Sequence, residues 1–194
     1  MKRLIRHLEL PFVVLLLLTG SAFLLKMCYL PLLQNTIYGG LLLLALYGYL
    51  YARYDIRMPP VLLLLVLAAV EVDAVGNYFR MYGRQFGPVM YDEFAHLAVQ
   101  ALTSPLVLWL AGEFGARFGY RLPLGLITVF SVTTLFSLTG FYEIIELWDE
   151  RYFSGQRIWS PHDAPNDLQW NLAGIIIGSV STYVVMKKYR AAKT

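Results

Sequence analysis

What most constrains this chain is a series of runs nearly free of charge, each about as long as a membrane-crossing helix. They are residues 10–25, 30–51, 60–79, 91–111, 122–147 and 167–186. About 20 apolar residues wound as a helix cross the roughly 30 Å hydrocarbon core. With 58% of 194 residues hydrophobic, the chain reads as an all-α polytopic membrane protein, a single membrane domain over 1–194 with about six spans. Gly20-Ser21-Ala22 has the look of a cleavage site, yet apolar character continues to Lys26, so the first run is expected to be a retained span. Pro59-Pro60 opens the third run, a good place for proline at a helix start.

Charge narrows the function classes. The net charge of +3 is carried by basic residues spread over chain ends and loops, which argues against a nucleic-acid surface. Cys28 is the only cysteine, so an intramolecular disulfide and a cysteine-based zinc cluster are both excluded, and any metal site must use His, Asp, Glu, Asn or backbone. Six spans put both termini on one side. That side collects Lys2, Arg3, Arg6, Arg53, Arg57, Arg117, Arg121 and the tail's Lys187, Lys188, Arg190 and Lys193, against Lys26, Arg80, Arg84, Arg151 and Arg157 opposite. The positive-inside rule then makes both termini cytoplasmic.

The acids do the reverse. Glu71, Asp73, Asp92, Glu93, Glu143, Glu146 and Asp167 lie in the outer half of spans three to six. Ionisable side chains inside a membrane are costly and are by default candidates for function. Tyr91-Asp92-Glu93-Phe94-Ala95-His96 heads the fourth span; residues four apart share a helix face, so Asp92 and His96 point one way, followed by Gln100 and Thr103. Span five adds Glu143 and Glu146. Span six adds Asp167 and Asn171, on a stripe that continues through Gly174 and Gly178, the small-xxx-small spacing that lets helix backbones touch. In the third span Asp73, Asn77, Arg80 and Arg84 recur at helical spacing and are expected to form one charged stripe.

Several carboxylates in a low-dielectric site must take up protons, find arginines or share a cation. A divalent cation shared by Asp92, His96, Glu143 and Asp167 is the expected arrangement, since helical bundles build such sites from inward-facing carboxylates and histidine. One histidine with oxygen ligands suits zinc, manganese or iron. The plainer reading is a structural histidine and an ion-paired network that fixes helix register. Asp163, beside Ser160, Pro161 and Pro165, reads as helix-entry capping, His162 and His7 as solvated, and Trp148, Trp159 and Tyr91 as interfacial aromatics.

The ordered set Tyr91-Asp92-xxx-His96, Tyr142-Glu143-xx-Glu146 and Asp167-Leu168-Gln169-Trp170-Asn171-Leu172 resembles the bacterial YjdF-like inner-membrane family, over spans three to six. Two departures stand out: Leu147 separates Glu146 from Trp148, and Asn171 occupies a position where that family usually carries an acid. Asp167-xxx-Asn171-xx-Gly174 is similar instead to the ending of VanZ-like proteins. The resemblance implies a multi-pass protein of the cell inner membrane and names no reaction.

Three function classes follow. In the first, a metal-dependent hydrolase or transferase acts on a membrane lipid or lipid-linked phosphate: the cation activates water, Glu146 serves as base, and Arg80 and Arg84, with Asp73, Asn77 and Asn171 beside them, hold the substrate. In the second, the same acids form a cation or proton path of a small transporter. A path needs polar residues in both halves of the membrane, and the inner half offers few, Thr103, Ser104 and Thr133 among them. The third is a non-catalytic membrane partner.

Overall fold

The computed structural model describes residues 45–153 and 160–191. The expected first span, the second as far as residue 44, His7, Trp159 and the last three residues lie outside them. The sequence reads as one membrane domain; contacts gather the chain into two compact units, Met1–Tyr82 and Gly83–Thr194.

In the first unit, a helix described over residues 45–54 (α1) is followed by α2 (Pro60–Tyr78). Pro60 stands in the first turn of α2, where its missing N–H costs nothing and its fixed φ suits the helix. The helix ends in a Schellman turn: the Met81 N–H reaches the Gly76 carbonyl at 2.8 Å and the Arg80 N–H reaches Asn77 at 3.3 Å. Arg80 therefore holds the left-handed position, at φ 52°, and Arg84 lies in a bend beyond. This corrects the continuous stripe expected from Asp73 to Arg84. Only Asp73 and Asn77 are helical, because the backbone reverses in the capping turn at Arg80 and Arg84 follows it.

The second unit begins with a hairpin, β1 (Gln85–Phe86) and β2 (Val89–Met90), paired antiparallel with Gln85 opposite Met90. Gly87 takes φ 63° at the first turn position, the conformation that glycine supplies in a two-residue hairpin. The hairpin leads directly into α3 (Tyr91–Arg117), followed by α4 (Leu124–Phe153) and α5 (Asp163–Ala191). Tyr91, expected at the membrane interface, is 3% exposed. Its ring packs edge-on to Phe86 at 5.5 Å and beside Phe94 at 5.9 Å, so the hairpin covers it. Trp148 is exposed, as an outward-facing aromatic is.

α3 and α5 run parallel and very close. A Cβ added at Gly174 would overlap the Leu97 carbonyl oxygen, and one at Gly178 the Ala101 carbonyl oxygen. The glycine pair expected to let backbones touch does so. Pro105, inside α3, adds a reason: it has no N–H to give the Ala101 carbonyl four residues back, so a neighbouring helix must satisfy that oxygen. Gly178 brings α5 against it, the setting of a Cα–H···O contact.

Among the described residues, four helices are long and apolar enough to cross a membrane: Pro60–Tyr78, Tyr91–Arg117, Leu124–Tyr152 and Asp163–Lys188. They match the expected third to sixth spans.

The α3–α5 contact gives a first prediction. Gly174→Val should destabilise the protein by about 1–3 kcal/mol, the usual cost of overpacking a tight contact. Gly125→Ala, where a Cβ meets nothing within 4 Å, should leave the melting temperature unchanged or raised. Thermal unfolding in detergent compares the two, and equal melting temperatures would contradict the packing.

Candidate functional site

The site forms where α3 and α5 begin. Glu93, in the first turn of α3, accepts the Met90 backbone N–H at 2.8 Å with Oε2, and Oε1 accepts the Asn166 side-chain amide at 3.0 Å. One carboxylate thus caps α3 and fastens the first turn of α5 to it. The clamp sets Asp92 and His96, one turn apart on α3, against Asp167 and Asn171, one turn apart on α5.

His96 is at the centre. Its Nε2 lies 3.5 Å from Asp92 Oδ1 and 3.6 Å from Asp167 Oδ2, while Nδ1 lies 3.2 Å from Asn171 Oδ1. With the Asn171 oxygen accepting from Nδ1–H, the Nε2 lone pair faces both carboxylates. The Asp167 side chain is 5% exposed and that of Asp92 20%, so the cluster opens on the Asp92 side. Asp167 Oδ1 is buried and has no hydrogen-bond partner among the described residues.

Ligand atoms of Asp92, His96 and Asp167 all lie within 4.8 Å of one another. Two donors about 2.1 Å from a tetrahedral ion stand about 3.4 Å apart, which matches the Nε2–oxygen separations. A ligating histidine usually gives its second N–H to an oxygen that fixes the ring, and Asn171 occupies that place. The donor set therefore fits a divalent cation of the zinc, manganese or iron class, with coordination positions left for water or substrate.

A family model described as a predicted membrane protein, DUF2238, matches residues 10–191. The chain belongs to this family. The YjdF-like resemblance points to the same family. No curated protein and no solved structure matches the chain.

The structure of this DUF2238 protein brings three of the four expected ligands together. Glu143, from α4, is 7% exposed with Oε1 buried and unpartnered, within electrostatic reach of His96 and Asp167 but outside the ligand cluster. Glu146, half-buried, follows one turn later. Asn171, 1% exposed, orients His96. Arg84 is exposed, and its carbonyl accepts the Tyr91 N–H at 2.9 Å, so its backbone adjoins the start of α3. Asp73 and Asn77 belong to the other unit, where Asp73 Oδ1 accepts hydrogen bonds from the Asn77 side-chain amide at 3.0 Å and the Tyr82 hydroxyl at 2.8 Å. His162 is exposed, as expected, and Asp163 is the first residue of α5.

The Glu93–Asn166 clamp was not among the expected site residues. Its signal is present in the sequence: a glutamate in the first turn of the span, and an amide immediately before Asp167.

Arg80 gives a second prediction. A non-glycine residue in the left-handed region costs about 1–2 kcal/mol, so Arg80→Gly should preserve the turn and raise the melting temperature. A lower melting temperature would show that the guanidinium, and not the turn, holds this segment.

Proposed function

We propose that this DUF2238 protein is a six-span protein of the bacterial inner membrane with both termini cytoplasmic. It holds one divalent cation through Asp92, His96 and Asp167 near the outer surface, and it hydrolyses or transfers a lipid or lipid-linked phosphate there. The observation that carries the reading is the position of His96 Nε2 between two carboxylate oxygens, at 3.5 and 3.6 Å. A charged N–H···O pair closes to about 2.7–2.9 Å. Two nearly equal, longer separations match the spacing of donors around an ion. The buried, partnerless Asp167 Oδ1 supports the same reading, since such an oxygen costs free energy unless a cation, a proton or water meets it.

A cation held by Asp92, His96 and Asp167 would supply Lewis-acid chemistry, activating water and polarising a phosphoryl oxygen. The protein's own groups complete the chemistry. Glu143 and Glu146 are the carboxylates placed to take a proton, Glu143 from a buried oxygen with no competing hydrogen bond. Arg84, in the same unit as the cluster, offers a planar fork for a phosphate. Exposure on the Asp92 side gives an amphiphilic substrate a way in.

Protein purified without chelators should carry about one divalent ion per chain by elemental analysis. His96→Ala should lose it while eluting as a folded protein, and Asn171→Ala should weaken binding about 10- to 100-fold, as loss of a ligand-orienting partner does. Metal-free wild-type protein would leave the ion-paired network as the account of the cluster.

Orientation is tested separately. In a background with Cys28 replaced, single cysteines at Gln85 and His162, both exposed, should react with an impermeant maleimide on intact cells. Labelling only after lysis would invert the topology and put the site on the cytoplasmic side.

A further inference from the structure

The interior of the second unit is polar well beyond the acidic cluster. On α4 the buried face repeats every four residues as Ile127, Ser131, Leu135, Thr139 and Glu143; on α5 it runs Asp167, Asn171, Ile175 and Ser179. α3 adds Ser104, fully buried, and the buried oxygen of Gln100.

These groups fall into layers. Leu97 meets Gly174 and Ala101 meets Gly178, and Ser104 touches Gly178 and the Ile175 carbonyl, so Ser104 and Ser179 share a level. α4 runs antiparallel to α3, with Ile127 against Gly112. Stepping back one residue for one residue sets Ser131 level with Leu108, Leu135 with Ser104, Thr139 with Gln100 and Glu143 with His96. Below the site, then, lie Gln100 and Thr139, next Ser104 and Ser179, next Ser131 with Thr182. From His96 to Leu108 this is 12 residues of helix, about 18 Å at 1.5 Å per residue, more than half of a roughly 30 Å hydrocarbon core.

Serine and threonine in such helices commonly bond back to their own backbone, as Ser104, Ser131 and Thr182 do to Gln100, Ile127 and Gly178. Two groups do not fit that account. Gln100 Oε1 and Ser179 Oγ are buried and have no hydrogen-bond partner among the described residues, at successive levels beneath Glu143 Oε1 and Asp167 Oδ1, of which the same is true. The amide oxygen of Gln100 accepts hydrogen bonds, as do the two carboxyl oxygens when ionised, and buried acceptors of this kind are met by ordered water.

We propose that the α3–α4–α5 interior holds a file of water reaching from the acidic site past Gln100 and Ser179 into the other half of the membrane. The file hydrates the site from within and gives protons a route along it, with whatever ion sits at His96. It does not depend on a bound metal.

Cysteine accessibility tests it, with Cys28 replaced and the protein in liposomes. Thr139→Cys and Ser179→Cys place thiols on the file; Val180→Cys, next to Ser179 but exposed on the outer face of α5, places one toward lipid. The thiolate, which forms where water reaches the sulfur, attacks a small methanethiosulfonate reagent and expels sulfinate to leave a mixed disulfide, so the first two should react at least about tenfold faster than the third. Equal rates would overturn the proposal. Hydroxyl-radical footprinting of the wild-type protein supplies a readout without substitution: Ile175, 0% exposed, should be oxidised by radicals formed in adjacent bound water. An Ile175 protected as fully as a dry core residue would also overturn it. Neither readout changes with metal occupancy, so failure here leaves the cation site standing, and failure of the cation site leaves the file standing.

Discussion

The contact on which the second unit depends is the one between the backbones of α3 and α5. Lipid tails are as apolar as leucine, so no hydrophobic force presses two membrane helices together, and close packing and polar contacts must do it. Gly174 and Gly178 remove the side chains that would hold the helices apart, and Pro105 leaves the Ala101 carbonyl in want of a neighbour. The functional consequence is geometric. Only at this separation does His96 stand against Asp167 and Asn171, and a bulkier residue at 174 would move the donors apart before altering any of them.

Against this contact the acids are a liability. A buried carboxyl group without a partner costs free energy, and the interior carries two such oxygens, on Glu143 and Asp167. Glu93 shows what a purely structural acid looks like here: both its oxygens are used, one by the Met90 N–H and one by Asn166. The difference between Glu93 and its neighbours separates scaffold from site more sharply than burial does, since all of them are at least half-buried. A cation at the cluster and water beneath it are two answers to one electrostatic demand, each supplying what the protein does not.

Much of this was legible in the residues. The spans at 60–79, 91–111, 122–147 and 167–186 follow from hydropathy, and the helices found there extend beyond three of them because charged residues at membrane surfaces continue a helix that hydropathy ends. Glu113 and Arg117 on α3, and Asp149 to Arg151 on α4, are such extensions. The pairings of Asp92 with His96 and of Asp167 with Asn171 follow from helical spacing alone. What misled was spacing carried past a helix end: Asp73, Asn77, Arg80 and Arg84 have the right intervals, but a Schellman turn with an arginine in the position usually held by glycine interrupts them. Tyr91 misled differently, because an aromatic at a span boundary is indistinguishable in sequence from one covered by a hairpin.

The sequence by itself determined that the chain is helical and membrane-embedded, that the acids of the fourth, fifth and sixth spans fall near one end of each, and that the sixth span has a face able to approach another backbone. These are properties of composition and of a 3.6-residue period, which act within one segment. Which donors meet was decided only by tertiary structure. His96 finds Asp167 and Asn171, Glu143 stays outside the ligand cluster, and Gln100 Oε1 and Ser179 Oγ are left without a hydrogen-bond partner among the described residues, because helix register and crossing depend on contacts between segments. No spacing along one helix encodes the distance to the next.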